Sequence, residues 1–108
     1  MSLKRGDIYW VNLDPTVGTE IRKMRPCVLI GATPINDARR TILVLPLSSA
    51  GTPHPPLAIH VDCLGRKVVA VCDRLRAVDK SMLQEKAGAI KANDLKKIED
   101  GLRQILSL

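Results

Sequence analysis

Aromatic residues are almost absent from this sequence. Its 108 residues include no Phe, one Tyr and one Trp, adjacent at Tyr9 and Trp10. A platform that stacks a row of nucleic-acid bases on several rings is therefore excluded. Cysteine is also scarce: Cys27, Cys63 and Cys72 are odd in number and form no CxxC pair. A secreted disulfide framework is excluded on that count. A zinc site built from His60, Cys63 and Cys72 fails as well, because a fourth ligand is missing and positions 60 and 63 of a strand face opposite sides. The three thiols read as small apolar core residues in a reducing compartment. No apolar run approaches the roughly 18 residues of a membrane span. The opening MSLKRGDIYW has no apolar stretch of signal-peptide length, so a cytoplasmic location is expected. There is no P-loop, no GxGxxG and no GxSxG. The carboxylates are scattered without a metal-binding cluster, so neither metal nor cofactor is expected.

What is present is positive charge. Lys and Arg number 17 against 11 Asp and Glu, a formal net charge of +6. A small basic domain suits nucleic acid or an acidic protein segment. Hydrophobic residues make up 45%, which is ordinary for a globular chain. The length predicts one domain over residues 1–108, burying roughly 65% of its unfolded surface.

The pattern predicts short strands followed by a helix. Strands are expected over Asp7–Leu13, Pro26–Thr33, Thr41–Leu47, Leu57–Cys63, Lys67–Val71 with a continuation to Val78 after a break near Asp73, and Glu85–Ile90. The second is apolar enough to be buried on both faces. Pro46 suggests an edge position or a bulge. In the fourth strand Leu57, Ile59 and Val61 should face inward, with His60 and Asp62 outward. Residues Thr16–Met24, Pro34–Arg40 and Ser48–Pro56 read as connections, and Asp79 as the cap of a short helical turn. Leu95, Ile98, Leu102, Ile105 and Leu106 fall on one helical stripe, with Asn93 as N-cap, giving a helix that lids a small barrel.

Polar density collects in two segments, Gly18–Arg25 and Ser48–His54. Arginines beside Ser48, Ser49 and Thr52 suit a phosphate. His54 and His60 default to surface positions, and a two-histidine ribonuclease site would require both to converge.

The motifs in these segments resemble the MazF/PemK family of toxin endoribonucleases. The matching residues are Arg5-Gly6-Asp7-Ile8-Tyr9-Trp10-Val11, Asp14-Pro15-Thr16-Val17-Gly18-Thr19-Glu20, Arg25-Pro26, Leu45-Pro46-Leu47-Ser48 and Asp73 through Ser81. The resemblance covers nearly the whole chain. It implies a mainly β (α+β) fold: a small SH3-like antiparallel barrel with a C-terminal helix, usually a homodimer. It implies metal-independent, sequence-specific cleavage of single-stranded RNA, including mRNA, and inhibition by a cognate antitoxin with an acidic flexible tail. Arg25 matches the family's catalytic arginine. Ser48 stands where many members have threonine, and Glu20 matches an acidic residue of the active-site loop. Arg22, Lys23, Ser49, His54, Asp73 and Arg76 are the expected RNA-binding residues. Some members use an Arg and an Asp on the later strand; Asp73 fits that Asp, but Val71 stands at the position of the Arg. Two other readings are a gyrase-binding toxin of the same fold without nuclease activity, and a non-catalytic barrel that docks RNA or peptide.

Overall fold

The computed structural model describes residues 2–13 and 24–108. β1 (Asp7–Asn12) pairs antiparallel with β2 (Met24–Leu29) on one side and β7 (Leu83–Ala89) on the other. β2 pairs with β3 (Thr41–Ser48), aligning Cys27 with Pro46 and Leu29 with Val44. The other edge of β3 is shared between two partners. β6 (Arg76–Asp79) pairs with Thr41 to Val44, and β5 (Arg66–Val71) takes over at Leu47 and Ser48. β4 (Ala58–Cys63) completes a hairpin with β5.

Pro46 stands in the gap between these two partners of β3. It is buried in a central strand, not placed at an edge. The position suits a residue without an N–H, because the ladder on that side is interrupted there.

The sheet is mainly antiparallel and carries a C-terminal helix, as expected, but it is not hydrogen-bonded into a closed barrel. The end strands of its five-stranded part, β6 and β7, are joined by a 3₁₀ turn at Lys80–Met82 and do not pair. Asp79 caps this turn, accepting from the Ser81 N–H at 2.9 Å.

Each face of the sheet carries a core. Ile8, Val28, Leu45 and Leu47 join the β4–β5 hairpin and α2 (Ala92–Leu106) on one side. Val11, Cys27, Leu29, Ile42, Val44 and Val78 form the other, with Tyr9, Met82 and Leu83 packed against it. Consecutive residues of β2 thus point into different cores, and the strand is buried on both faces as its composition suggests. The three cysteines are free and buried.

Several boundaries differ from the sequence reading. β2 begins at Met24, two residues early, because β1 offers partners as far as Asn12. Arg25 is consequently a strand residue paired opposite Val11, not a loop residue. Residues Thr33–Ala38 form a short helix, α1, where the end of the second strand and a connection were expected. Pro34 is favourable in its first turn, and buried Asn36 ties it down by donating to the Leu3 and Gly31 carbonyls at 3.0 and 2.8 Å. Val61 and Cys63 of β4 are buried, but Leu57 precedes the strand and is exposed. α2 starts at Ala92, so Asn93 is not its N-cap. Leu106 is exposed, one residue past the part of the stripe that reaches the sheet. Asp94 is buried in the first turn of α2 and accepts from the Asp62 N–H at 2.9 Å, locking the helix to β4.

Candidate active site

The core that contains Val11, Cys27, Val44 and Val78 gives way to charged residues at one end. Two positions further along the same faces of the same four strands stand Leu13, Arg25, Pro46 and Arg76. Side chains two apart on a strand share a face, so the sheet itself converts core into cavity at this point. The cavity measures about 560 Å³ and is lined by those four residues with Leu47, Ser48, Gly51, Thr52, Ala58, Val69, Val71 and Arg74. Val69 and Val71 lie on the face of β5 opposite Val68 and Ala70, and they form an apolar wall. Gly51 lets the loop after β3 lie on that wall: a Cβ there would meet the Val69 Cβ at 3.2 Å.

Local geometry orients the polar groups. Ser48 Oγ accepts the Ala50 N–H at 3.3 Å, which leaves its own O–H to be donated elsewhere. Arg76 Nη1 donates to the Leu13 carbonyl at 3.3 Å, holding that guanidinium at the mouth. Cys27 lies beneath. Burial pushes its thiol up to about 12, against the opposing pull of Arg76 and then Arg25. It is a neutral core thiol and not a nucleophile, since the thiolate is the reactive form.

The expected site residues divide into three groups. Arg25, Ser48 and Arg76 come together in this cavity. Ser49 lines a second, smaller cavity of about 220 Å³ on the other face of the sheet, with Trp10, Met24, Pro26, Leu64 and Arg66; Arg25 lines both. His54 is exposed and exchanges backbone hydrogen bonds with Ala58 at 2.7 and 2.9 Å; it lines neither cavity. Asp73 is exposed on the 3₁₀ turn Cys72–Arg74 and also lines neither. Glu20, Arg22 and Lys23 lie outside the described residues.

Sequence reasoning missed Arg74. Val71 does face the cavity, at the position where an arginine was sought, and Arg74 supplies a guanidinium three residues later. The available signal was the Arg-Leu-Arg run at 74–76, which sets two cations three and five residues after Val71. The turn that carries Arg74 is set by α2. A Cβ on Gly101 would meet the Pro56 carbonyl oxygen at 3.1 Å and Cys72 Sγ at 3.5 Å, so the helix lies close against the turn only because residue 101 lacks a side chain.

Three guanidiniums, two hydroxyls and an apolar wall make a site for a phosphate bearing an organic group. No carboxylate or imidazole is among the described lining residues, so the donor set suits an anion and repels a divalent cation. The family described as "PemK-like, MazF-like toxin of type II toxin-antitoxin system" matches residues 4–106. The chain belongs to this toxin family. It is 25% identical to endoribonuclease MazF6 of Mycobacterium tuberculosis along the whole of both chains. It is 32% identical to endoribonuclease PemK of Escherichia coli, over 71% of this chain and 61% of that one. A MazE–MazF crystal structure from Deinococcus radiodurans superposes with a TM-score of 0.84 at 22% identity, covering 97% of this chain and 96% of that one. In this member of the PemK-like, MazF-like toxins, Arg25 and the Pro46-Leu47-Ser48 motif meet at one cavity, from strands that are neighbours in the sheet.

Proposed function

We propose that this toxin is a metal-independent endoribonuclease that cleaves single-stranded RNA at a short sequence and so inhibits translation. The observation that carries the reading is the convergence of Arg25, Arg74, Arg76 and Ser48 on one cavity in a chain of this family. The reaction needs only the RNA itself as nucleophile. The ribose 2′-O–H loses its proton, the oxygen attacks the adjacent phosphorus in line, and the P–O5′ bond breaks. The products are a 2′,3′-cyclic phosphate and a 5′-OH, the departing oxygen taking up a proton. Negative charge grows on the phosphoryl oxygens, where preorganised donors contribute most. Arg25 presents a planar fork to those oxygens, Arg74 and Arg76 neutralise charge from the opposite rim, and Ser48 donates its hydroxyl. A guanidinium with a pKa above about 12 is a poor base at neutral pH. We assign proton acceptance to Glu20 because it matches the acidic residue of the family's active-site loop.

The protein acts as a single domain in the cytoplasm, as a homodimer. A cognate antitoxin segment of acidic, flexible character competes with RNA for the arginines, because both present spaced negative charge. Such a segment needs apolar anchors to offset its ordering entropy. No helix among the described residues is long and apolar enough to cross a membrane.

The test is incubation with a long single-stranded RNA in excess EDTA. Defined fragments bearing cyclic phosphate and 5′-OH ends are expected. Loss of cleavage in chelator, restored by Mg²⁺, would overturn the mechanism. The absence of fragments, together with inhibition of gyrase, would favour the gyrase-binding alternative.

A further inference from the structure

We propose that the smaller cavity is a nucleobase pocket, in which a base of single-stranded RNA beside the phosphate at Arg25 stacks on Trp10. The proposal rests on the nuclease reading and adds to it the residue that engages the flanking base. Arg25 belongs to both cavities, so the two sites are adjoining positions along one bound strand. At about 220 Å³ the smaller cavity falls below the usual 300–1,000 Å³ of a whole ligand site and has room for a single ring system. Trp10, Pro26 and Leu64 give it apolar walls. Its charges are the two guanidiniums Arg25 and Arg66, and Ser49 adds one hydroxyl. An apolar cavity with two cations in its lining complements a base flanked by phosphates. A lone Trp cannot form the multi-ring platform that the composition excludes, but it can hold one base.

Leu64 supports the same reading. It occupies the first position of the two-residue β4–β5 turn with φ 53°, followed by Gly65 at φ 76°. That turn type favours Asn or Asp at the first position, because the left-handed backbone crowds a larger side chain. Leu64 is nonetheless 56% exposed, with its side chain on the cavity. Strain and exposed apolar area are retained together at a site that gains once a ring covers them.

Trp10 is the only tryptophan in the chain, so its emission reports on this cavity alone. The wild-type protein is titrated with a fluorescently labelled single-stranded RNA that is 2′-O-methylated throughout and therefore uncleavable. The same titration is made with a strand of equal length whose sugars lack bases. Binding is read from the label's anisotropy and stacking from Trp10 emission. We expect the base-bearing strand to quench Trp10 saturably, and the abasic strand to bind without quenching. Trp10→Ala should weaken the base-bearing strand by about 5- to 150-fold, the equivalent of one stacked base, and Trp10→Phe should restore most of it.

Binding of the base-bearing strand with unchanged emission overturns the proposal. So does emission that shifts with protein concentration alone, which would mean that a second copy covers the ring, or quenching by an acidic, apolar peptide but not by RNA. Cleavage of the unmodified strand without quenching of the methylated one removes the base pocket and leaves the nuclease. Quenching without cleavage does the reverse, and failure to bind any RNA removes both.

Discussion

Arg25 stands near the start of β2, exposed and lining both cavities, so its loss should affect chemistry without disturbing packing. Arg25→Ala should lower the single-turnover cleavage rate by roughly 100-fold or more, as loss of an oxyanion donor does, with an unchanged melting temperature. Arg25→Lys should recover only part, because an ammonium cannot donate bidentately. Arg74→Ala removes a charge-assisted contact and should cost roughly 10- to 150-fold in kcat/KM. A normal rate in Arg25→Ala would move the reaction out of this cavity. Cys27 makes a separate statement about pH. Its thiol is raised to about 12 in the folded chain, whereas an unfolded thiol ionises near 8.5. Between those values the unfolded state has released a proton that the folded state retains. Stability is therefore full below about pH 8.5 and declines as pH rises toward 12. Melting temperatures from pH 7.5 to 10.5 should fall less steeply for Cys27→Ala than for wild type, whatever their absolute offset.

At the scale of elements, α2 holds the sheet and also places Arg74. Ile98 is fully buried among residues of the sheet face it covers. Ile98→Ala should destabilise the fold by about 2–5 kcal/mol and leave kcat/KM near wild type at temperatures well below the melting point. Gly101→Val should behave differently. Its side chain would press on the Pro56 carbonyl and Cys72, an overpacking that costs about 1–3 kcal/mol, and it would displace the turn carrying Arg74. Chemical denaturation paired with initial rates separates the two: both variants lose stability, but only Gly101→Val should also lose activity in the folded state. Equal activity in the two would mean that the turn does not depend on the helix.

At the scale of the whole molecule, the net charge of +6 acts through the arginine cluster. If about three phosphates are neutralised by Arg25, Arg74 and Arg76, the logarithm of the RNA association constant should fall with the logarithm of salt at a slope near −2. A tenfold rise in salt then weakens binding roughly 100-fold. Arg74→Ala should reduce the slope by about 0.7. An acidic antitoxin segment should show similar sensitivity and should exclude RNA in a competition titration; simultaneous, independent binding would place the inhibitor elsewhere. A slope near zero would show that the arginines do not meet the RNA backbone.

Sequence alone determined the strand-rich class, the apolar stripe of α2, the three core thiols and the motif pieces around Arg25 and Ser48. These rest on local periodicity and on residue types whose chemistry does not depend on distant partners. Tertiary structure decided the rest. Arg25 became a strand residue because β1 extends far enough to pair with it. Pro46 sits in a central strand because β3 exchanges β6 for β5 at that point. Residues Thr33–Ala38 became a helix because buried Asn36 reached the carbonyl of Leu3, 33 residues away. Arg74 joined the cavity because Gly101 admits α2 close to the turn before it. Each of these depends on a partner more than 10 residues away in the chain, and a local pattern carries no record of which distant strand or helix will supply it.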